Sequence, residues 1–313
     1  MLSAVAADAA GIDGVLPVVP VDPRFGLLDS LSSIEQHCVK PTAPWSACWL
    51  ELAATCDAAI VIAPEDGPLS EAASIVERSG AKWIGCRGEA LQAGICKHQF
   101  AQKMCDAEIP TPATWTAHEA AINGTEIAAQ YGWVTKPINS CGSQAIRRHA
   151  TWESVVAELS DCGRSHRIVQ PRWLGRAASC SVLCGPSQRI VLPPVWQQLD
   201  EHTFEYLGGS GPIADNFASR ATQLALRAVE ALGSSVGGYI GIDLILGDAE
   251  DGSDDAVIEA NPRITTSYVG LRRMVLGNIV EMLVGLADQR PVAYQMRSTQ
   301  FKFSASGTID ECQ

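Results

Sequence analysis

The amino-acid sequence predicts an α/β (α+β) protein that opens with a small α/β domain. Three features carry that expectation. Apolar strands alternate with helical stretches through residue 95, and Ala58–Ala63 (AAIVIA) is a continuous apolar run of the kind buried on both faces of a parallel sheet. Late in the chain, two apolar segments that read as a hairpin carry acids where none is expected.

In order, Leu2–Ala10 reads as an Ala-rich helix and Gly14–Val21 as a strand entering an Asp-Pro-Arg turn at Asp22–Arg24. Trp45–Thr55 is expected helical, Ala58–Ala63 a strand ending in Pro-Glu-Asp-Gly, Leu69–Ser79 a helix, Lys82–Cys86 a strand and Glu89–Ala93 a helix. A helix over Ile95–Ala107 is ended by Ile-Pro-Thr-Pro at 109–112. Trp133–Pro137 and Gln144–Arg148 are strands flanking a Gly/Ser loop; Thr151–Asp161 is a helix and Arg167–Pro171 a strand. Ser179–Leu183 with Arg189–Leu192 makes a hairpin, and Ser219–Leu232 has the apolar spacing of an amphipathic helix. One long helix is expected from Ser267 to Ala287, with flexible chain at Glu201–Gly211 and after Arg290.

A chain of 313 residues with 47% hydrophobic and 19% charged residues is globular in composition. A net charge of −12 argues against a nucleic-acid partner, because no extended basic stripe is available. Eleven cysteines without a CxxC pair read as free thiols, which places the protein in the reducing cytoplasm. No stretch approaches a membrane span, and the first residues lack the basic and apolar regions of a signal peptide.

The late hairpin is the most informative feature. Tyr239–Leu246 (YIGIDLIL) and Ala256–Asn261 (AVIEAN) flank GDAEDGSDD, a turn by composition. A loop spanning Gly247–Asp255 places Asp243 opposite Glu259, with Asn261 on the same strand face. Two unpaired carboxylates facing each other are costly, and a divalent cation relieves them. Asp243, Glu259 and Asn261 make a hard oxygen set suited to Mg²⁺.

Other candidates are weaker when read alone. TKPINSCGSQ, with Lys136, Gly142 and Ser143, could wrap phosphate oxygens or be an ordinary hairpin. Gln170–Gly175 (QPRWLG) could clasp a planar base, or Trp173 could be a core residue. Lys97 reads as a solvated helix lysine, and Arg263 as a surface residue or an electrostatic partner of the metal site. Arg272 and Arg273 either fork a substrate carboxylate or face solvent. Neither GxxxxGK[ST] nor GxGxxG occurs.

Taken in order, these motifs resemble the ATP-grasp superfamily of carboxylate–amine ligases, from about Ala58 to Leu286. The resemblance implies an ATP-grasp fold with an amino-terminal domain at 1–95 and subdomains at 96–170 and 171–290 that clamp ATP, then a tail at 291–313. It assigns Lys97, Lys136, Gly142 and Ser143 to the phosphates, and Gln170, Arg172, Trp173 and Leu174 to the adenine hinge. Mg²⁺, with Mn²⁺ as the alternative ion, falls to Asp243, Glu259 and Asn261; Arg263 and Lys136 take the catalytic roles.

VIAPEDGPL, IGIDLIL and EANPRITTSYVGLR further resemble the tyramine–glutamate ligases of methanofuran biosynthesis. That implies glutamate and tyramine or tyrosine as substrates, with Glu65, Thr266, Ser267 and Arg272 facing them. Two departures stand out. Gly175–Ser179 offers no acid for the ribose, and the chain opens on a helix where relatives begin with a strand. Met1 is therefore expected to be a truncated or misassigned start. A first domain lacking that strand would be prone to form a homo-oligomer.

Overall fold

The computed structural model describes residues 1–26, 33–39, 44–123, 129–140, 145–160, 166–297 and 299–312. Helix α1 (Leu2–Ala10) turns Val5 and Ala6 inward. Strand β1 (Val18–Val21) runs parallel to β2 (Glu35–Cys38), with a 3-10 turn at Pro23–Phe25 between them. Helix α2 (Trp45–Ala53) buries none of its residues. Strand β3 (Ala58–Ala59) is parallel to β4 (Lys82–Trp83). Between them, α3 (Pro68–Ser79) buries Leu69, Ala72, Ala73 and Val76, a stripe at helical spacing.

The apolar run Ala58–Ala63 does not form the doubly buried strand its composition suggests. Only Ala58 and Ala59 pair, and Ile60, Val61 and Ile62 are half-buried. Among the described residues β1–β2 and β3–β4 are separate two-stranded sheets, so β3 has a ladder on one edge only. Apolar composition reports burial potential, whereas strand length depends on having a neighbour to pair with.

Helix α4 (Gly88–Ile95) leads into α5 (Lys97–Asp106). Next come β5 (Trp115–Thr116), α6 (Ala117–Asn123), β6 (Trp133–Pro137), β7 (Arg147–His149), α7 (Trp152–Ser160) and β8 (Arg167–Pro171). Their four strands form an antiparallel sheet in the order β5-β8-β6-β7. Behind it lies a buried polar cluster. The Glu158 carboxylate accepts from the Thr135 hydroxyl (2.5 Å) and pairs with His149 (2.7 Å) and Arg167 (3.3 Å).

The remaining elements build the large sheet: β9 (Arg176–Cys184), β10 (Arg189–Val191), β11 (Val195–Leu199), β12 (Tyr206–Gly211), α8 (Asp215–Ala231), β13 (Gly238–Leu246) and β14 (Ala256–Asn261). After them come α9 (Tyr268–Met274), β15 (Val275–Leu276), α10 (Ile279–Ala287), β16 (Gln295–Met296), β17 (Gln300–Ser304) and β18 (Ile309–Cys312). The sheet order is β14-β13-β9-β11-β12-β17-β18, with β10 on the other part of the β9 edge. One core packs α8 and α5 against Val182, Ile240, Ile242 and Leu244. The other packs α9 and α10 against Leu183, Tyr239, Phe301 and Phe303. The two-residue period of β13 therefore puts Asp243 on the opposite face from Ile242 and Leu244.

Three expectations are corrected here. The single helix over Ser267–Ala287 is two, broken at Gly277 (φ 126°), after which the Asn278 side chain caps α10 by accepting from the Val280 and Glu281 amides. The supposedly flexible Glu201–Gly211 contains β12, paired with β11 and β17. Gly208 (φ 145°) is required there, because a Cβ would lie 2.1 Å from the Phe303 carbonyl oxygen. The chain beyond Arg290 also joins the sheet, with Phe301 and Phe303 buried. No helix among the described residues is long and apolar enough to cross a membrane.

Candidate active site

Asp243 of β13 pairs with Glu259 of β14, and Asn261 lies opposite Gly241. Nearer the turn, Leu244 faces Val257, so Ile258 is the extra residue of a β-bulge. The Asn261 amide donates to Asp243 Oδ2 at 3.0 Å and Gln197 of β11 donates to Oδ1 at 2.9 Å. Strand β9 contributes Ser179, the partner of Asp243 on its other edge.

Two buried lysines converge on the second carboxylate. Lys97 Nζ lies 3.6 Å and Lys136 Nζ 3.7 Å from Glu259 Oε2. Lys97, the first residue of α5, also donates to the Ser140 carbonyl at 2.6 Å, and Lys136 is held in the centre of its sheet opposite Ile168. Burial, reinforced by the charge of Glu259, pushes the Asp243 carboxyl up to about 6. Burial acts the same way on Glu259, but Lys97 and Lys136 outweigh it and hold Glu259 below the ordinary value. Burial also lowers Lys136, with Glu259 opposing.

Asp243, Glu259, Asn261, Gln197, Ser179 and Lys136 line one cavity of about 580 Å³ lying between the four-stranded sheet and the large sheet, and Lys97 approaches it only through Glu259. Arg172, Trp173 and Leu174 form part of its wall, as does Gln170, whose side chain donates to Thr114 Oγ1 at 2.7 Å. The Trp173 indole donates to the Asp254 carbonyl at 2.7 Å, tying the segment after β8 to the β13–β14 turn. Arg263, Thr266 and Ser267 line the cavity as well, with Ser267 hydrogen-bonded to Thr265 at 2.7 Å.

Other expected residues lie elsewhere. Glu65 is 2% exposed and pairs with Arg263 at 2.7 Å. Arg272 does not line the cavity: it forms an ion pair with Asp8, which also accepts from the Tyr268 hydroxyl at 2.5 Å. Gly142 and Ser143 lie outside the described residues.

Sequence reasoning missed Gln197 and Tyr206, which line the cavity from β11 and β12, because neither strand was foreseen. It also missed Arg148, which faces the cavity while its neighbours Arg147 and His149 turn to Glu158. The alternation of β7 held that signal. Asp200 and Glu201, on the β11–β12 turn, put acids on the cavity wall where residues 175–179 offer none.

A family model described as the ATP-grasp domain matches residues 96–267, more than half of the chain. The chain belongs to the ATP-grasp family. A second model, the pre ATP-grasp 3 domain, matches residues 15–91 of this ATP-grasp protein. A tyramine–L-glutamate ligase of Methanocaldococcus jannaschii is 26% identical over 246 residues, covering 78% of this chain and 67% of the relative. Among solved structures, the biotin carboxylase domain of the Hydrogenobacter thermophilus 2-oxoglutarate carboxylase, in complex with MgADP and bicarbonate, aligns with a TM-score of 0.78 at 15% identity, over 96% of this chain and 71% of that one. The L-amino acid ligase from Bacillus licheniformis aligns with a TM-score of 0.71 at 15% identity, over 95% and 75%. The ATP-grasp fold and the likeness to tyramine–glutamate ligases read from the motifs are thereby borne out.

Proposed function

We propose that this ATP-grasp enzyme activates glutamate as an acyl phosphate and joins it to tyramine or tyrosine. It is a ligase forming a carbon–nitrogen bond, and the finer substrate assignment is supported by the tyramine–L-glutamate ligase relatives. The observation that carries the reading is the Asp243–Glu259 pair on the wall of one cavity, with Lys97 and Lys136 both paired to Glu259. We read the chain as an amino-terminal unit at 1–95 and two halves meeting at this cavity, 96–170 and 171–290, with the described strands of 291–313 completing the second sheet.

The donor set fits a divalent cation. Among the described residues no group of three His, Cys, Asp or Glu side chains is placed to hold a metal; here an asparagine stands with two acids. Both lysines pair with Glu259, whereas Asp243 meets the neutral donors Ser179, Asn261 and Gln197 and is pushed up to about 6, chiefly by burial. A hard cation would supply Asp243 with the missing charge, and Mg²⁺ matches carboxylate and amide oxygen.

When bound, ATP and its cation supply an activated γ-phosphoryl group. Asp243, Glu259 and Asn261 would hold the cation, while Lys97 and Lys136 balance polyphosphate charge. Arg263 offers a planar donor fork to the transferring group. A substrate carboxylate oxygen attacks phosphorus and releases ADP; the amine nitrogen then attacks the acyl carbon, releasing phosphate and a proton. No side-chain nucleophile is needed. The buried Cys86 thiol, raised by burial to about 11, suits an inert thiol in a reducing cytoplasm.

The test is ADP release with glutamate plus tyramine, set against other acid–amine pairs. Release that requires both substrates supports the assignment, and a different productive pair replaces the substrates. No amine-dependent release across the panel, with ATP still bound, overturns the ligase reading.

A further inference from the structure

Glu65 is a buried carboxylate with a role still unassigned by the cavity. It sits between β3 and α3, is 2% exposed, and does not line the cavity. Its oxygens meet one cation: Arg263 Nε lies 2.7 Å from Oε1, and Nη2 donates to Oε2 at 3.2 Å. Arg263 Nη1 donates to the Ile264 carbonyl at 3.2 Å, and the Arg263 backbone amide to the Asn261 carbonyl at 2.8 Å. The guanidinium is thus fixed on two sides, directly after Asn261, while still lining the cavity.

A buried ion pair is a poor way to gain stability, since desolvation offsets most of the attraction. Its retention at the edge of a reactive cavity argues for orientation instead. The pair also spans two matched units, because Glu65 falls in residues 15–91 and Arg263 in 96–267.

We propose that Glu65 is a positioning residue that touches no substrate and acts by holding Arg263 toward the transferring phosphoryl group. This rests on the nucleotide reading above and replaces the substrate contact expected for Glu65. Without the carboxylate, the guanidinium would lose its fixed edge and turn toward the Ile264 carbonyl or solvent.

The test uses MgADP affinity with and without aluminium fluoride, a stand-in for the transferring phosphoryl group, and so needs no knowledge of the acid or amine. Wild-type protein is expected to bind MgADP at least about tenfold more tightly with the fluoride. Glu65→Gln should lose that gain while MgADP alone binds within about threefold of wild type. The double variant Glu65→Gln/Arg263→Gln should be no worse than Arg263→Gln. If Glu65→Gln does not fold, Glu65→Asp, which keeps the charge but withdraws it, takes its place. A variant at Glu65 that keeps the gain, a double variant well below Arg263→Gln, or a wild type without the gain overturns the proposal and leaves nucleotide binding standing. Wild-type protein that fails to bind MgADP overturns both.

Discussion

Asp243 and Glu259 face each other across β13 and β14, and the bulge at Ile258 is what brings Glu259 opposite Asp243, because the register beside the turn alone would place Ile258 there. Replacing one member tests the cation site directly. Glu259→Gln is expected to lower ADP release by at least about a hundredfold, the scale of a lost electrostatic contact at the reacting group. Far-UV circular dichroism should be unchanged. Near-wild-type release at saturating Mg²⁺ would count against these residues as metal ligands.

Lys136 is buried at the centre of its strand, and burial lowers it from the ordinary lysine range. Lys136→Ala removes a desolvated charge and, on the proposed function, a phosphate partner. The KM for ATP should rise by about tenfold or more, the scale of a charged hydrogen bond, while Tm without nucleotide moves little. A large fall in Tm with unchanged KM would make Lys136 structural.

The hairpin and the pairing of Asp243 with Glu259 were legible from the turn's composition, but the bulge was not: beside the turn Leu244 faces Val257, one residue out of the expected register, and Ile258 restores the carboxylate pair. Strand β12 was not: YLGGSG has the composition of a loop, and only the approach of the Phe303 backbone explains why glycine is needed. The break between α9 and α10 was hidden by apolar residues on both sides of Gly277. The Arg272–Asp8 pair was not legible either, because its members lie 264 residues apart, beyond any local pattern.

Arg272 joins α9 to α1 through Asp8, while Tyr268 donates to the same carboxylate. Arg272→Ala should lower stability by about 2 kcal/mol, below the range for breaking a fully buried pair because the site is partly exposed. Urea unfolding measures the loss. The KM values for both substrates should not change, and a selective rise in the acid's KM would restore Arg272 to substrate binding.

Burial tends to raise Glu158, but the Thr135 hydroxyl, Arg167 and His149 outweigh it and bring the carboxyl below its ordinary value of 4.5. A depressed carboxylate contributes its full stability above the ordinary value and loses it as pH falls through the folded value. Wild-type Tm should therefore drop on acidification below about pH 4.5, where the unfolded carboxyl begins to take up protons. Glu158→Gln should melt earlier at pH 7 and show a shallower acid slope. Parallel curves for the two proteins would remove Glu158 as the source.

Because β17 lies against β12, shortening the protein after Arg290 would strip a neighbour from the glycine-rich strand and expose the hydrophobic surface beneath Phe301 and Phe303. Expression designs that trim this end for crystallisation would damage the same β-layer from which Gln197 reaches Asp243. An affinity tag is better placed past the final strand, with a spacer.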